Sequence, residues 1–257
     1  MSFSLAIEAP VRRIINKPQS RSVISFLLRR NLSKLALMYG TDKQGRHQYA
    51  QHYQHHFEPL RRKELNILEI GIGGYKNPKS GGRSLRMWKA YFPKSRIFGI
   101  DIYDKTPHDE NRIKTFQGSQ TDTSFLKRIV EEIGRVDIII DDGSHHNDHV
   151  ITTFKFLFPL LDDKGIYVVE DTQTSYWPNV VEDMEYGGSS DLTAPHTSMN
   201  YFKSLIDGLN YEEFTLDNYV ATYFDKHITA MHFYHNLIFI NKGLNDEGSN
   251  IVAKRPS

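Results

Sequence analysis

Two acidic clusters carry the residue types that do chemistry: Asp141-Asp142-Gly143-Ser144-His145 and Glu170-Asp171. Each closes a short apolar run, VDIIID at 136–141 and GIYVVE at 165–170. Carboxylates that converge without a counter-charge repel one another. A hard divalent cation removes that repulsion, prefers oxygen ligands and keeps positions open for water or substrate. Asp142, Glu170 and Asp171 therefore read as ligands of Mg²⁺, with Mn²⁺ as the alternative, and helix capping is the competing role for such acids. His145 follows Asp142 by three positions. An imidazole is neutral near physiological pH and can take a proton from a hydroxyl acidified by a cation, so His145 reads as a general base. His146 and His149 are its competitors, and His149 is expected to start a helix.

A second group lies earlier. Glu69-Ile70-Gly71-Ile72-Gly73-Gly74 closes the run LNILEI at 65–70. Glycines there let the backbone turn tightly and come close to a ligand. The dinucleotide fingerprint needs a third glycine where this chain has Lys76, and the loop 75–81 separates the turn from the next helix, so a pyrophosphate cofactor does not fit. Glu69 suits a cationic amine instead. Asp101, ending RIFGID at 96–101, can accept two ribose hydroxyls. Gln117 ends the next run, and Ser119 and Gln120 follow it, where a purine edge can be read. Ribose, adenine and a positively charged amino-acid tail together describe S-adenosylmethionine. Gly71, Gly73 and Asp141 are assigned to the same cofactor.

These residues need a frame that brings strand ends together. Strand-like runs at 65–70, 96–101, 113–117, 136–141 and 165–170 alternate with helical segments at 84–91, 122–133 and 149–161. That alternation predicts a doubly wound α/β sheet, mostly parallel, with helices on both faces. Its ligands bind beyond the carboxyl ends of the strands. A Gly/Ser-rich loop at 187–198 precedes a helix over 197–209. Runs at 228–234 and 237–241, with His235-Asn236 between them, predict a hairpin whose last strand is antiparallel. His232 and His235 read as hairpin residues. Residues 1–60 are expected to form a helical extension and 61–257 the catalytic domain.

Composition narrows the class. The chain has 257 residues, 39% hydrophobic and 25% charged, the profile of an ordinary globular domain. It has no cysteine, which excludes disulfides, zinc–cysteine sites and thiol nucleophiles. No apolar run approaches a membrane span. The net charge is +1, which argues against a nucleic-acid partner. The charge is uneven, however. Residues 1–34 hold seven basic residues and one acid, leaving 25 basic and 30 acidic residues, a net of −5, for the rest. The basic head reads as an amphipathic helix packed on the body or on a partner subunit. Its short apolar stretch ends at Arg29-Arg30, unlike a secretory signal, so the expected location is cytoplasmic.

Several long motifs resemble the metal-dependent class I sugar O-methyltransferases of natural-product pathways, of the mycinamicin VI 2''-O-methyltransferase type. They are MYGTDK at 38–43, LEIGIGGY at 68–75, SGGRSLRMWKAYFP at 80–93, FGIDIYDK at 98–105, IDDGSHHNDHV at 140–150, YVVEDTQTSYWP at 167–178, KSLIDGLN at 203–210 and HFYHNLIFINKGLNDEG at 232–248. The resemblance implies a class I methyltransferase fold, S-adenosylmethionine as donor and Mg²⁺ as cofactor. It matches Asp142, Glu170 and Asp171 to the metal ligands and His145 to the base, and it adds Thr41, whose stretch closes the cofactor site. The macrolide enzyme carries a further N-terminal domain, whereas a short segment precedes the first strand here, so the acceptor need not be a macrolide.

The implied reaction is in-line attack of a hydroxyl on the sulfonium methyl. Vicinal oxygens held by the cation fix direction, and His145 takes the proton. Tyr176, Trp177 and His196 are candidate acceptor contacts, since aromatic faces pack on sugar C–H surfaces, and the loop 187–198 is a candidate lid. The expected partner is a small glycoside in an antibiotic-type pathway, handled by a homo-oligomer. A surface-polysaccharide sugar, a catechol-type phenol and a non-catalytic nucleotide-binding role stay open as alternatives.

Overall fold

A computed structural model of the chain describes residues 18–181 and 183–249. Residues 1–17 of the basic head lie outside them; its described part is helix α1, Pro18–Leu28, and the start of the next helix. Helices α2 (Leu32–Tyr39) and α3 (Ala50–Phe57) follow, and α2 stops where Gly40 adopts the left-handed conformation (φ 70°) and closes the carbonyls of Ala36 and Leu37. Strands β1 (Asn66–Ile70), β2 (Arg96–Asp101), β3 (Ile113–Gln117), β4 (Ile138–Asp141) and β5 (Ile166–Glu170) then alternate with α4 (Arg83–Tyr91), α5 (Thr123–Ile133) and α6 (Asn147–Leu157). Helices α7 (Ser198–Ser204) and α8 (Tyr223–His227) precede the hairpin β6 (Ile228–Tyr234) and β7 (Leu237–Lys242).

The strands form one seven-stranded sheet in the order β3-β2-β1-β4-β5-β7-β6. β1 to β5 are parallel, and β7 runs antiparallel between β5 and β6. This is the doubly wound sheet with a C-terminal antiparallel hairpin that the sequence predicts. The order reverses between β1 and β4, where Ile70 pairs with Asp141. Ligand crevices form at that switch point. Asn236 takes φ 61° in the hairpin turn, a conformation asparagine tolerates.

Every residue of β1, β4 and β5 is buried, as befits strands covered on both faces. Alternate residues feed two cores. Ile67, Ile140 and Val168 pack with Leu35, Tyr53, Phe57 and Trp88. Leu68, Ile139 and Tyr167 pack with Leu126, Ile129, Phe154 and Phe202 on the other face. Helices α2 and α3 thus share a core with the sheet. On α1, Val23, Phe26 and Leu27 face outward.

Some boundaries differ from the sequence reading. α6 begins at Asn147 with His146 as N-cap, and ends before a 3₁₀ turn at Phe158–Leu160, because Pro159 cannot continue the ladder. The helix expected over 197–209 stops at Ser204. A 3₁₀ segment follows, in which Gly208 comes so close to Asp225 that a Cβ would lie 2.2 Å from its Oδ1. The short helix α8 was not anticipated, although Thr222 and Asp225 form a capping box at its start. Asp122, near the proposed purine edge, caps α5 by accepting from the Phe125 amide. Residues 187–197 hold no helix or strand and are tied to the body where the Ser189 amide donates to the Ser175 carbonyl and Asn200 Nδ2 donates to the Ala194 carbonyl. No described helix is long and apolar enough to cross a membrane.

Candidate active site

The ends of β1, β2, β4 and β5 meet on one rim. The Asp142 amide donates to the Ile70 carbonyl (2.9 Å) and the Gly71 amide to the Ile100 carbonyl (2.8 Å). Gly71 has φ 88°, and a Cβ there would meet the Asp142 carbonyl oxygen at 1.9 Å. Gly73 also has positive φ, 74°, but faces open space. Asp101 links this turn to the one after β2: Oδ2 accepts from the Ile72 amide (3.1 Å) and Oδ1 from the Tyr103 amide (2.9 Å). The buried Lys105 ammonium donates to the carbonyls of Tyr75, Asn77 and Ser80, pinning the loop that follows.

Asp142, His145 and Asp171 converge. His145 Nε2 lies 3.8 Å from Asp142 Oδ1 and 3.7 Å from Asp171 Oδ2. His145 and Asp171 both hold positive φ, 57° and 54°, a strained state for such residues that persists where surroundings over-determine it. The other oxygens are held from behind. Tyr49 Oη donates to Asp171 Oδ1 (2.6 Å), and Tyr53 Oη donates to Glu170 Oε1 (2.5 Å). Lys43 Nζ donates to Glu170 Oε1 (2.6 Å) and Asp142 Oδ2 (2.8 Å) and sits 3.4 Å from Glu69 Oε1. Glu69 is fully buried, and its Oε2 accepts from Ser84 Oγ (2.7 Å).

The charges respond to this setting. Burial lifts the carboxyls of Glu69, Asp142 and Glu170 above their ordinary range, with Lys43 opposing in each case. Burial also works against the Lys43 ammonium, but Asp142, Glu170, Glu69 and Asp42 outweigh it and hold its pKa well above the usual value. Asp171 goes the other way: burial would raise it, yet His145, Tyr49 and His47 bring it below the usual carboxylate value. Burial and the adjoining acids push Tyr49 and Tyr53 upward, so both stay phenols and donate.

Other predicted residues take varied positions. Gln120 is buried with its amide fully engaged: Nε2 donates to Asp141 Oδ1 (3.2 Å) and Thr153 Oγ1 (3.1 Å), and Oε1 accepts from the Ser144 amide (2.8 Å). Asp141 is buried behind the rim, where desolvation raises its carboxyl to about 6. Gln117 is exposed at the end of β3, Ser119 Oγ meets Thr121 Oγ1, and Thr41 Oγ1 points to the Met87 sulfur. Tyr176 and His196 are exposed, and Trp177 packs edge-on against Tyr186. The sequence reading missed Lys43, Tyr49 and Tyr53. Lys43 stands in the MYGTDK stretch, and the two tyrosines lie four positions apart, so one helical face carries both.

The donor set fits a hard divalent cation. Ligand atoms of Asp142, His145 and Asp171 lie within 4.8 Å of one another, and two of the three are carboxylate oxygens; Glu170, the other predicted ligand, stands outside this group with its Oε1 accepting from Lys43 and Tyr53. A second group with that spacing among the described residues, His146, Asp148 and His149, sits on the outer turn of α6 with Asp148 71% exposed, away from the strand ends. His146 Nδ1 is already paired with Asp148, and His149 Nδ1 with Ser144 Oγ (2.9 Å).

Comparison with known proteins points the same way. Residues 80–226 match the family model described as rhamnosyl O-methyltransferase/CmcI. The mycinamicin VI 2''-O-methyltransferase of Micromonospora griseorubida is 47% identical over 221 residues, covering 85% of this chain and 54% of that protein. The 8-demethyl-8-alpha-L-rhamnosyl tetracenomycin-C 2'-O-methyltransferase of Streptomyces olivaceus is 44% identical over 225 residues, covering 87% and 58%. A solved structure of the MycE methyltransferase of the mycinamycin pathway, in complex with Mg, SAH and mycinamycin VI, aligns with a TM-score of 0.80 at 44% identity, over 88% of this chain and 57% of that one. The chain spans between half and two thirds of the length of these relatives.

Proposed function

The chain belongs to the rhamnosyl O-methyltransferase/CmcI family, and on that premise we propose that it transfers the methyl group of S-adenosylmethionine to a sugar hydroxyl, with Mg²⁺ as second cofactor. The observation that carries this reading is the convergence of Asp142, His145 and Asp171 directly against the Gly71 turn. When bound, S-adenosylmethionine supplies an electrophilic methyl group and Mg²⁺ supplies positive charge for the acceptor oxygens.

This chain's residues do the remaining work. Asp142, Glu170 and Asp171 hold the cation, and Tyr49 and Tyr53 fix two of those carboxylates by donating to them. Glu69 receives the donor's amino group. Asp101 receives ribose hydroxyls while anchoring the turn, since each oxygen keeps a lone pair beyond its backbone bond. Gly73 leaves room on the same side, Gln117 and Ser119 flank the base, and Thr41 closes the pocket. Gln120 and Asp141 brace the rim from behind. His145 Nε2 takes the hydroxyl proton as the oxygen attacks. Tyr176, Trp177 and His196 line the acceptor side.

The names of the relatives favour a sugar on a glycosylated natural product as acceptor. The exposed Val23, Phe26 and Leu27 on α1 support a homo-oligomer. The cytoplasm, where S-adenosylmethionine is made, is the proposed location. The test is a panel of rhamnosides, macrolide glycosides and catechols, incubated with S-adenosylmethionine and Mg²⁺ and read by mass spectrometry. Methylated glycoside and S-adenosylhomocysteine are expected, and both should vanish with a chelator. Turnover of catechols alone, or chelator-resistant turnover, contradicts the proposal.

A further inference from the structure

Lys43 is 1% exposed, and its ammonium touches carboxylates from three different strands. Glu170 Oε1 lies at 2.6 Å on β5, Asp142 Oδ2 at 2.8 Å beyond β4, and Glu69 Oε1 at 3.4 Å on β1. A lysine is rarely so deep unless paired. The ammonium donates hydrogen bonds to Glu170 and Asp142, and Glu69 Oε1 stands at ion-pair distance. The consequence for Asp142 is directional. Its Oδ2 is fastened to Lys43, and its Oδ1 is the oxygen 3.8 Å from His145 Nε2. Asp171 repeats the arrangement, with Oδ1 fastened to Tyr49 and Oδ2 at 3.7 Å from His145. Glu69 stands on the other side of the same ammonium, held at Oε2 by Ser84.

We propose that Lys43 is a positioning residue shared by two sites: it orients Asp142 and Glu170 for the divalent cation and Glu69 for the amino group of the methyl donor. This rests on the proposed function. It adds that one buried amine, from the loop between α2 and α3, organises both pockets. Tyr53 touches Glu170 alone among these carboxylates and so serves only the cation.

The test needs no turnover. Mn²⁺ binding is followed by the electron paramagnetic resonance of the free ion, and S-adenosylhomocysteine binding by calorimetry. Wild type is compared with Lys43→Met, Lys43→Gln and Tyr53→Phe, each first checked for native circular dichroism and cooperative unfolding. Wild-type binding of both ligands is the precondition; its absence would count against the proposed function itself. In the Lys43 variants both dissociation constants should rise by roughly tenfold or more, the scale seen when the groups that orient ligands are removed. Tyr53→Phe should weaken Mn²⁺ and leave S-adenosylhomocysteine within about twofold, since its hydroxyl donates to Glu170 and not to Glu69 and the phenyl ring keeps the edge-on packing against Trp88. A folded Lys43 variant that binds both ligands as wild type does, loses only one, or binds Mn²⁺ more tightly overturns the proposal. Should the methionine variant not fold, the glutamine variant, which keeps a donor among the carboxylates, carries the same test.

Discussion

A Cβ on Gly71 would stand 1.9 Å from the carbonyl oxygen of Asp142, so the turn after β1 and the turn after β4 can pass each other only with glycine here. The same residue holds φ 88°, which an L side chain rarely adopts. Gly71→Ala is therefore expected to displace the Asp142 backbone and cost about 3 kcal/mol or more, combining strain with overpacking. Urea denaturation measures it. Gly73→Ala, with open space around the new methyl group, is expected to cost only about 1 kcal/mol. Equal losses in the two variants would refute the close-approach argument.

His145→Ala removes the one imidazole that faces both Asp142 and Asp171. Loss of a general base lowers kcat by roughly 10²- to 10⁴-fold. S-adenosylhomocysteine affinity should stay within about twofold, because the donor pocket lies on the Glu69 side. Steady-state kinetics and calorimetry on the same preparation separate these effects. A variant with undiminished kcat assigns the proton to another group.

The sheet was legible because strands buried on both faces appear as short apolar runs, and β2 and β3 match their predicted bounds. The rim residues Asp142, His145 and Asp171 were legible for a related reason: they sit next in sequence to strand ends, where α/β sheets bind ligands. Lys43, Tyr49 and Tyr53 were not. They reach their carboxylates across separations of 99 to 127 residues, and periodicity says nothing about which loop folds over which strand end. A tyrosine pair four apart on a helix reads as packing until an acid is seen beneath it. Gln120 was read as a base-edge contact, and in sequence nothing distinguishes that role from a brace between Asp141 and Thr153.

Gln120→Leu tests that brace. It removes one hydrogen bond each from Asp141, Thr153 and the Ser144 amide; Asp141 keeps Tyr167 Oη and the Gly143 amide, and Thr153 keeps the carbonyls of Gln120 and His149. A lost hydrogen bond costs about 0.5–1.5 kcal/mol, more to a charged acceptor, so the expected total is about 1–3 kcal/mol. Loss of the donor should also raise the Asp141 carboxyl further above its value of about 6. Denaturant unfolding checks the first effect, and carboxyl titration by nuclear magnetic resonance the second. An unaltered unfolding midpoint would mean that Gln120 is free for a ligand.

Acid should loosen α3 through His56. Its Nε2 pairs with Tyr234 Oη at 3.0 Å, and its ring stacks on Phe239 at 4.1 Å and lies edge-on to His232 at 4.7 Å. Burial, then the neighbouring His232, His55 and His52, push its pKa from 6.5 to about 4. The folded form therefore keeps His56 neutral while the unfolded chain titrates near 6.5. Above that pH both states are neutral and the residue adds no pH dependence. Between 6.5 and about 4 the unfolded state takes up a proton that the folded state refuses, so stability falls as pH falls; below about 4 the slope ends. After discounting for the exposed part of the ring, the loss is about 1–2 kcal/mol. His56→Phe keeps the stacking and removes the proton site. Urea denaturation at pH 7, 6 and 5 should give wild type the steeper decline; parallel declines would clear His56 of the effect.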